Sequence, residues 1–443
     1  WYLAANRTFD AWATPPPLTP VRVAIIDSGI DRAHPEFRGR IVAARTFVGG
    51  TPDDEQGHGT IVAGIVAAAI DDGLGIAGSS PSARLLIGKV VDDGTVDPEI
   101  EARAIRWATD AGARVINVSL GGLRDPTSSA RDLFSPVERA AVEYAVSRGA
   151  LVVAAVGNGD QAPSEPWRYA SYPAALPHVL GVGALGRDGD VPAFSNRDPV
   201  YVDLVAPGKE IVSTFPLALT GKRPACAEQG TTLCAAGEYR DAEGTSFAAP
   251  QVSAAAAMLF ALAPGLRAEQ VRAILERSAA DLTPADGCAG CTIGRDTLSG
   301  FGRLDVAAAV GALTASWPVD RLEPNDDAGD RARRLWGPRH AIRATVDFWD
   351  DPTDVYAVLL RKGETLRAEL TRSPGAAVGL FVWEPGTESV EGAGRTARRP
   401  AATAADPATD VSWTATQTGL HAVQVKALEG GDAVAYMLRL ARS

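Results

Sequence analysis

Three short segments of the chain carry residue types that can act together on a carbonyl group. Asp27 ends an apolar run, His58 lies between two glycines, and Ser246 follows Gly-Thr. A serine hydroxyl is a weak nucleophile until a base takes its proton, and an imidazole with a pKa of ~6.5 can be that base. A carboxylate can orient the imidazole. Taken singly, these residues are more typical of a turn, a packing position and a helix N-cap.

The surrounding elements alternate between short apolar runs and longer helical patterns from about residue 20 to residue 310. The β-branched-rich runs predict buried strands at 21–26, 84–90, 114–118, 151–156 and 179–182. Helices are predicted at 61–70, 99–111, 136–148, 246–262 and 267–280. This alternation predicts an α/β fold in which helices cover both faces of a parallel β-sheet. Asp27 would lie at the carboxyl end of a strand, where chemistry gathers in such sheets.

The order Asp, His, Ser along the chain is one of those known for a catalytic triad. With it, the sequence resembles the subtilisin-like serine proteases over residues 20–310. The resemblance rests on the motifs Asp27-Ser-Gly29, Gly57-His58-Gly59-Thr60, Ser119-Leu-Gly-Gly122, Ala154-Ala-Val-Gly157-Asn158 and Gly244-Thr-Ser246-Phe-Ala-Ala-Pro250. It implies a peptidase domain over residues 1–315 that hydrolyses peptide bonds.

The resemblance implies a role for each of four residues. Ser246 would attack the peptide carbonyl, His58 would take its proton, and Asp27 would fix the imidazole tautomer. Asn158 would donate its side-chain amide to the tetrahedral oxyanion beside the Ser246 backbone N–H. Without the other three residues, Asn158 between two glycines would be interpreted as a turn residue.

Two segments resemble those that pair with an extended substrate backbone in this family: Gly94, Thr95 and Val96, and Ser119, Leu120 and Gly121. Such pairing tolerates many sequences because main-chain bonds are common to all peptides. The pocket for the residue before the scissile bond is expected to be lined by Ala154, Ala155, Gly157 and Ser171 together with the second segment. No acidic residue is available there, so we expect cleavage after large apolar or aromatic residues.

The resemblance also suggests structural calcium ions. Asp72, the carbonyls of Ile70, Leu74 and Ile76, and the carboxylate of Glu36 would form one oxygen-rich site. A weaker site would use Asp203 with the carbonyls of Ala174 and Leu176. The alternative is that these acidic residues belong to an ordinary solvated surface.

The pattern changes after about residue 315. Residues 316–330 are rich in proline and acidic residues and predict a linker. Short alternating runs follow at 342–346, 355–360, 365–370, 378–383, 411–416, 421–426 and 434–440, which predicts a small β-sandwich over residues 331–443. The motifs Glu323-Pro-Asn-Asp326 and Asp351-Pro-Thr-Asp354-Val-Tyr356 resemble the bacterial pre-peptidase C-terminal domain, with a proprotein-convertase P domain as the alternative.

The four cysteines form two close pairs, Cys226 with Cys234 and Cys288 with Cys291. Paired cysteines favour disulfides in an exported protein, and we expect these pairings from proximity. Unpaired thiols or half of a zinc site are the alternatives, although no histidine lies near either pair.

Composition restricts the remaining function classes. The net charge is −11, which argues against a general nucleic-acid binder, and no apolar stretch is long enough for a membrane helix. The chain begins at Trp1 rather than Met, so the targeting signal cannot be read from it. From the paired cysteines and the family resemblance we expect a secreted enzyme, acting as a monomer on peptides or proteins, whose N-terminal propeptide is not in this sequence. The alternatives are a catalytically silent scaffold acting as an adhesin, and an acid peptidase that uses Glu and Asp with Ser.

Overall fold

The computed structural model describes residues 1–12, 19–73, 75–159, 162–220, 232–233, 239–314, 322–323, 325–348, 351–373, 377–390, 400–404, 409–428 and 434–443. The chain divides into two units, Trp1–Thr314 and Ala315–Ser443. Of the predicted linker, residues 316–321 and 324 lie outside this description.

The first unit is built on β-strands joined by helices. Its strands are β1 (Val21–Asp27), β2 (Ile41–Thr46), β3 (Ala83–Lys89), β4 (Val91–Asp92), β5 (Thr95–Val96), β6 (Val115–Val118), β7 (Leu151–Ala155), β8 (Val179–Leu185), β9 (Leu204–Pro207), β10 (Ile211–Thr214), β11 (Thr232–Leu233) and β12 (Tyr239–Ala242). Its helices are α1 (Tyr2–Ala5), α2 (Thr8–Trp12), α3 (His58–Ala67), α4 (Pro98–Asp110), α5 (Pro136–Ser147), α6 (Thr245–Leu262), α7 (Ala268–Arg277) and α8 (Val306–Gly311).

Seven parallel strands form the central sheet in the order β2-β3-β1-β6-β7-β8-β9. Every residue of β6, β7, β8 and β9 is buried, as expected for strands that are covered on both faces. The predicted α/β class is confirmed. Two strands of the central sheet were not predicted: β2, whose burial pattern is irregular, and β9.

Helix α6 packs against the sheet strands β6, β7, β8 and β9 and against α3. Contrary to the expectation from the sequence, this helix is long and apolar enough to cross a membrane, alone among the described helices, but 89% of it is buried inside this unit. It is therefore the core helix of the first unit, and it carries Ser246 to the carboxyl end of β6, where Ser246 contacts Ser119.

The second unit consists of β-strands alone in the described residues. They are β13 (Arg333–Leu335), β14 (Arg339–Val346), β15 (Thr353–Leu360), β16 (Thr365–Arg372), β17 (Val378–Trp383), β18 (Ala402–Ala404), β19 (Asp410–Thr414), β20 (Gly419–Ala427) and β21 (Val434–Arg442). One sheet has the order β13-β15-β20-β17-β18 and the other β14-β21-β16-β19. Inward-facing residues such as Leu366, Leu380 and Leu438 form a shared core, which is the packing of a sandwich.

Candidate active site

Asp27, His58 and Ser246 each lie at the boundary of an element. Asp27 is the last residue of β1, His58 the first of α3, and Ser246 the second of α6. Gly57 precedes α3 with a φ of 101°, a left-handed conformation, and a Cβ there would lie 2.4 Å from the ring of Phe215. Glycine is therefore required for the chain to turn into the helix at His58.

His58 and Asp27 are in direct contact. The Nδ1 atom of His58 lies 2.7 Å from Oδ1 of Asp27, which also accepts the backbone N–H of Ser28. Asp27 is fully buried, whereas the His58 side chain is 32% exposed. The carboxylate can hold the imidazole in one tautomer while leaving its other nitrogen available to a neighbour.

The pKa of His58 reflects opposing effects. Burial is the largest and would lower it, but the charge of Asp27, the hydrogen bond to Asp27 and the charge of Asp54 together raise it overall. A raised pKa makes the imidazole a stronger base and stabilises the imidazolium that forms when it takes a proton.

Asp54 holds the start of the histidine helix and was missed in the sequence analysis. One carboxylate oxygen accepts hydrogen bonds from the Ser28 hydroxyl and from the backbone N–H groups of Gln56 and Gly57. The other accepts from the backbone and the hydroxyl of Thr60. A carboxylate four residues before a helix that begins with His58 could have been recognised as an N-terminal cap.

The Ser246 hydroxyl donates to the carbonyl oxygen of Ser119 at 2.9 Å. It must turn away from this carbonyl to reach the imidazole, and catalytic hydrogen bonds are often unformed in ligand-free proteins. The next residue, Phe247, is buried, and its ring centroid lies 5.3 Å from that of His58. An inert aromatic ring therefore occupies the position beside the nucleophile.

Asn158 has a fixed amide orientation. Its Oδ1 atom accepts the backbone N–H of Thr245 at 2.9 Å and the Thr245 hydroxyl at 2.8 Å. Because both partners are donors, the oxygen must face Thr245 and Nδ2 must face the other way. A Cβ on Gly244 would lie 3.1 Å from that nitrogen. Thr245, a further residue that the sequence analysis missed, thus orients the amide.

A cavity of about 140 Å³ adjoins Ser246. It is lined by Ser119, Leu120, Gly121, Leu123, Ala155, Gly157, Asn158, Gly159, Ser171, Asn196, Thr245 and Ser246. Of the predicted pocket residues, Ala154 is not among them because it is buried within β7. None of the described lining residues is charged. Gly94 and Thr95 are exposed on the ribbon formed by β4 and β5, and neither they nor Val96 line this cavity.

The predicted first calcium site contains the buried carboxylate of Glu36, one oxygen of which has no hydrogen-bond partner among the described residues. Glu36 accepts hydrogen bonds at Oε1 from the Ile76 backbone and the Tyr239 hydroxyl, while Oε2 has no hydrogen-bond partner among the described residues. Burial and the Glu36 charge raise the pKa of nearby Tyr2. An orphaned carboxylate oxygen fits a hard cation. Ile70 and Asp72 follow on the adjoining loop, and Leu74 lies outside the described residues.

The predicted second site has a different environment. Asp203 accepts hydrogen bonds from Arg272 and Arg295, each at 3.2 Å, and from the Gly181 backbone at 2.9 Å. The guanidinium groups supply the positive charge that a metal ion at Asp203 would have supplied. Ala174 and Leu176 are both buried. The Asp203 carboxylate assigned to their site instead forms ion pairs with Arg272 and Arg295.

Three carboxylates that no site prediction included lie together in the second unit. Oxygens of Glu323, Asp351 and Asp354 fall within 4.8 Å of one another. Asp354 also accepts hydrogen bonds from Asn325 and Tyr436. Burial, followed by the charges of Asp326 and Asp354, raises the pKa of Glu323 to about 9. The cluster therefore favours either a shared proton or a bound cation.

The structure links Cys288 to Cys291 through a disulfide bond. Both cysteines are buried beside Leu185 and Leu282, so the bond forms part of a small apolar cluster rather than an exposed loop. The predicted pair Cys226 and Cys234 lies outside the described residues.

Comparisons with known proteins agree with this architecture. Residues 19–302 match the subtilase family. The chain is 34% identical over 262 residues to thermitase of Thermoactinomyces vulgaris, covering 58% of this chain and 80% of thermitase. It is 34% identical over 265 residues to subtilisin DY of Bacillus licheniformis, covering 59% and 84% of the two chains. A lanthipeptide protease structure aligns at 25% identity with a TM-score of 0.56, covering 71% of this chain and 92% of the other.

The subtilase family model matches most of the first unit, and the chain covers more than two thirds of the length of both relatives. These two findings define the protein class. The chain belongs to the subtilase family and is a serine endopeptidase.

Proposed function

We propose that the chain cleaves peptide bonds through Asp27, His58 and Ser246, with Asn158 as an oxyanion donor. The observation that carries the proposal is the 2.7 Å contact between the buried Asp27 carboxylate and His58, at the same sheet edge that holds Ser246. The Ser246 hydroxyl gives its proton to the imidazole and attacks the carbonyl carbon. The imidazolium then gives this proton to the leaving amine.

The orientation of Asn158 supports its part in the proposal. Its Nδ2 group is turned away from Thr245, and the backbone N–H of Ser246, in the first helical turn, has no intrahelical acceptor. Two donors that are already oriented can stabilise an oxyanion without reorganising during the reaction.

The cavity beside Ser246 supports cleavage after large apolar or aromatic residues. Apart from Leu120 and Leu123, its described lining is small or polar, and none of it is charged, so a lysine or arginine side chain would be buried there without a counter-ion. A peptide library that varies this position should give faster hydrolysis after Phe than after Arg. A preference for Arg would refute this specificity.

We further propose export and structural calcium. The buried Cys288–Cys291 disulfide supports an oxidising compartment. Relatives include a cell wall-associated protease of Bacillus subtilis and also an intracellular serine protease of Paenibacillus polymyxa, so the disulfide carries this part of the proposal. Calcium would bind at Glu36, with the carboxylates of Glu323, Asp351 and Asp354 as a second candidate. The second unit would be a sandwich of the pre-peptidase C-terminal type.

The decisive test is replacement of the nucleophile. Ser246→Ala should leave the thermal unfolding profile unchanged and lower kcat by a factor on the order of 10⁶. His58→Ala should cost about the same, because triad members act as a unit. An organophosphonate should label the parent once per chain and Ser246→Ala not at all. If Ser246→Ala kept a few per cent of the activity, the assignment would be wrong.

A further inference from the structure

Pro250 deprives Ser246 of a helical hydrogen bond. It lies four residues after Ser246 inside α6, and proline has no backbone N–H to offer to the Ser246 carbonyl. That carbonyl instead accepts the hydroxyl of Ser119 at 2.8 Å. A side chain from the end of β6 therefore replaces the missing helical donor at the nucleophile.

The Ser119 hydroxyl is the end of a longer chain of hydrogen bonds. It accepts from Nδ2 of Asn117 at 2.9 Å, and Oδ1 of Asn117 accepts the hydroxyl of Ser253 at 2.9 Å. The directions are forced: a carbonyl cannot donate, so Ser119 gives its proton to Ser246 and must accept from the Asn117 amide. The Asn117 oxygen then faces Ser253, whose hydroxyl must donate to it.

This series of hydrogen bonds starts and ends on the same helix, α6. Ser253 lies about two turns after Ser246 in α6, whereas Asn117 belongs to β6, the neighbouring strand of the sheet. Asn117 and Ser253 are completely buried, and Ser119 is 1% exposed. Neither Asn117 nor Ser253 lines the cavity beside Ser246. Among the hydrogen bonds of the described residues, it is Ser119 that connects these two residues to the nucleophile.

We propose that Ser253 and Asn117 are positioning residues, which fix the Ser119 hydroxyl and through it the carbonyl of the nucleophile. The proposal rests on the proposed function, in that Ser246 is the attacking group. Loss of Ser253 leaves the Asn117 amide free to turn and weakens the hold on Ser246. Because substrate contacts are untouched, the effect should fall on kcat and not on KM.

The test uses the full chain and two substitutions. Ser253→Ala introduces alanine, the residue with the highest helix propensity, and so preserves the helix. It should lower kcat about fivefold, which corresponds to the loss of one hydrogen bond, with KM within about twofold of the parent. Ser119→Ala should lower kcat by about tenfold. The double variant should match Ser119→Ala alone, since Ser253 acts through that hydroxyl. The rate of phosphonate labelling should fall in the same ratios.

The matched control is Ser80→Ala. Ser80 is also completely buried, and its hydroxyl lies 3.1 Å from that of Ser82, just before β3 and so at the opposite edge of the sheet. Its kcat should equal that of the parent. The proposal is overturned if Ser253→Ala keeps the parent kcat, or if the two losses multiply in the double variant. The proposed function fails separately, in proteins that keep Ser253. It would be overturned by an inactive parent or by an active Ser246→Ala variant.

Discussion

Two buried acidic clusters, one in each unit, differ in what surrounds their carboxylates. In the peptidase unit, Asp54 receives five hydrogen bonds, three of them from backbone N–H groups at the start of α3. Asp27 receives the Ser28 N–H and lies against His58. Oriented N–H groups and a partly positive helix start can hold a buried carboxylate in its charged form.

In the second unit, the carboxylates of the acidic cluster lie beside one another, and no helix begins there among the described residues. Glu323, Asp351 and Asp354 lie close together, with Asn325 and Tyr436 as donors to Asp354. The pKa of Glu323 is raised to about 9, first by burial and then by the neighbouring charges. The comparison teaches that backbone N–H groups satisfy the buried acids of the first cluster, whereas crowded acids require a proton or a cation.

The largest effect should come from removing the charge that faces His58. Asp27→Asn should lower kcat by a factor on the order of 10⁴, because the imidazole loses its orienting partner. It should also lower the pKa of His58 and move the acidic limb of the pH–rate profile to lower pH, since Asp27 raises that pKa. The matched substitution in the other cluster, Asp354→Asn, should leave kcat within about twofold of the parent. Equal losses in both variants would contradict the contrast between the clusters.

Calcium should stabilise the Glu323 cluster of the second unit and the Glu36 site of the first unit separately. In a Ser246→Ala background, which prevents self-digestion, calcium at a hundredfold excess over its dissociation constant should stabilise the folded unit by about 2.7 kcal/mol for each occupied site. Glu323→Gln should remove the part of this gain that belongs to the second unit, and Glu36→Gln the part that belongs to the first. Calorimetry with calcium and with a chelator measures both. Identical unfolding curves in the two buffers would exclude calcium from both sites.

A third pair of buried acids lies between the two helices α4 and α5 and behaves like the crowded cluster. Glu101 and Glu138 are hydrogen-bonded to each other, and burial raises the pKa of Glu138 to about 7. Since the folded pKa exceeds the unfolded value of ~4.3, the folded state binds more protons between these values, and stability falls as the pH rises through that window.

Glu138→Gln should therefore stabilise the protein only at high pH. At pH 8 we expect a gain on the order of 2 kcal/mol over the parent, and at pH 4 little difference. Thermal unfolding of both proteins in the Ser246→Ala background at the two pH values measures this. The exposed pair Arg334 and Asp330 offers a control, since Asp330→Asn should change neither value. A gain of equal size at pH 4 and pH 8 would rule out titration as its cause.

The smallest effect concerns oxidation. Met258 is 2% exposed in the core helix, whereas Met437 is partly exposed on β21 of the second unit, and Phe247 occupies the place after the nucleophile. Millimolar peroxide should oxidise Met437 first and leave activity unchanged, because a phenyl ring has no comparable reaction. Phe247→Met should become sensitive. Rapid inactivation of the parent with Met258 intact by mass spectrometry would contradict this.

Local patterns were sufficient to predict the α/β class and the all-β second unit. The β-branched runs at 84–90 and 151–156 correspond to β3 and β7, and the helical pattern at 136–148 corresponds to α5. Each of these signals is contained within a few residues, because strand and helix periodicity depend on neighbouring positions. The helix predicted at 61–70 is α3, which starts at His58 in the structure. It starts before its apolar pattern does, because Gly57 and the Asp54 carboxylate cap the helix there.

Sequence by itself determined which residue types stand at the ends of which elements: Asp27 after a strand, His58 before a helix and Ser246 inside the first turn of another. Only the tertiary structure decided which side chains orient these residues and their neighbours. Thr245 orients Asn158 across 87 positions of the chain, and Ser253 contacts Asn117 across 136. Such contacts depend on how parallel strands bring distant segments to one sheet edge, and no local pattern of residues records that pairing.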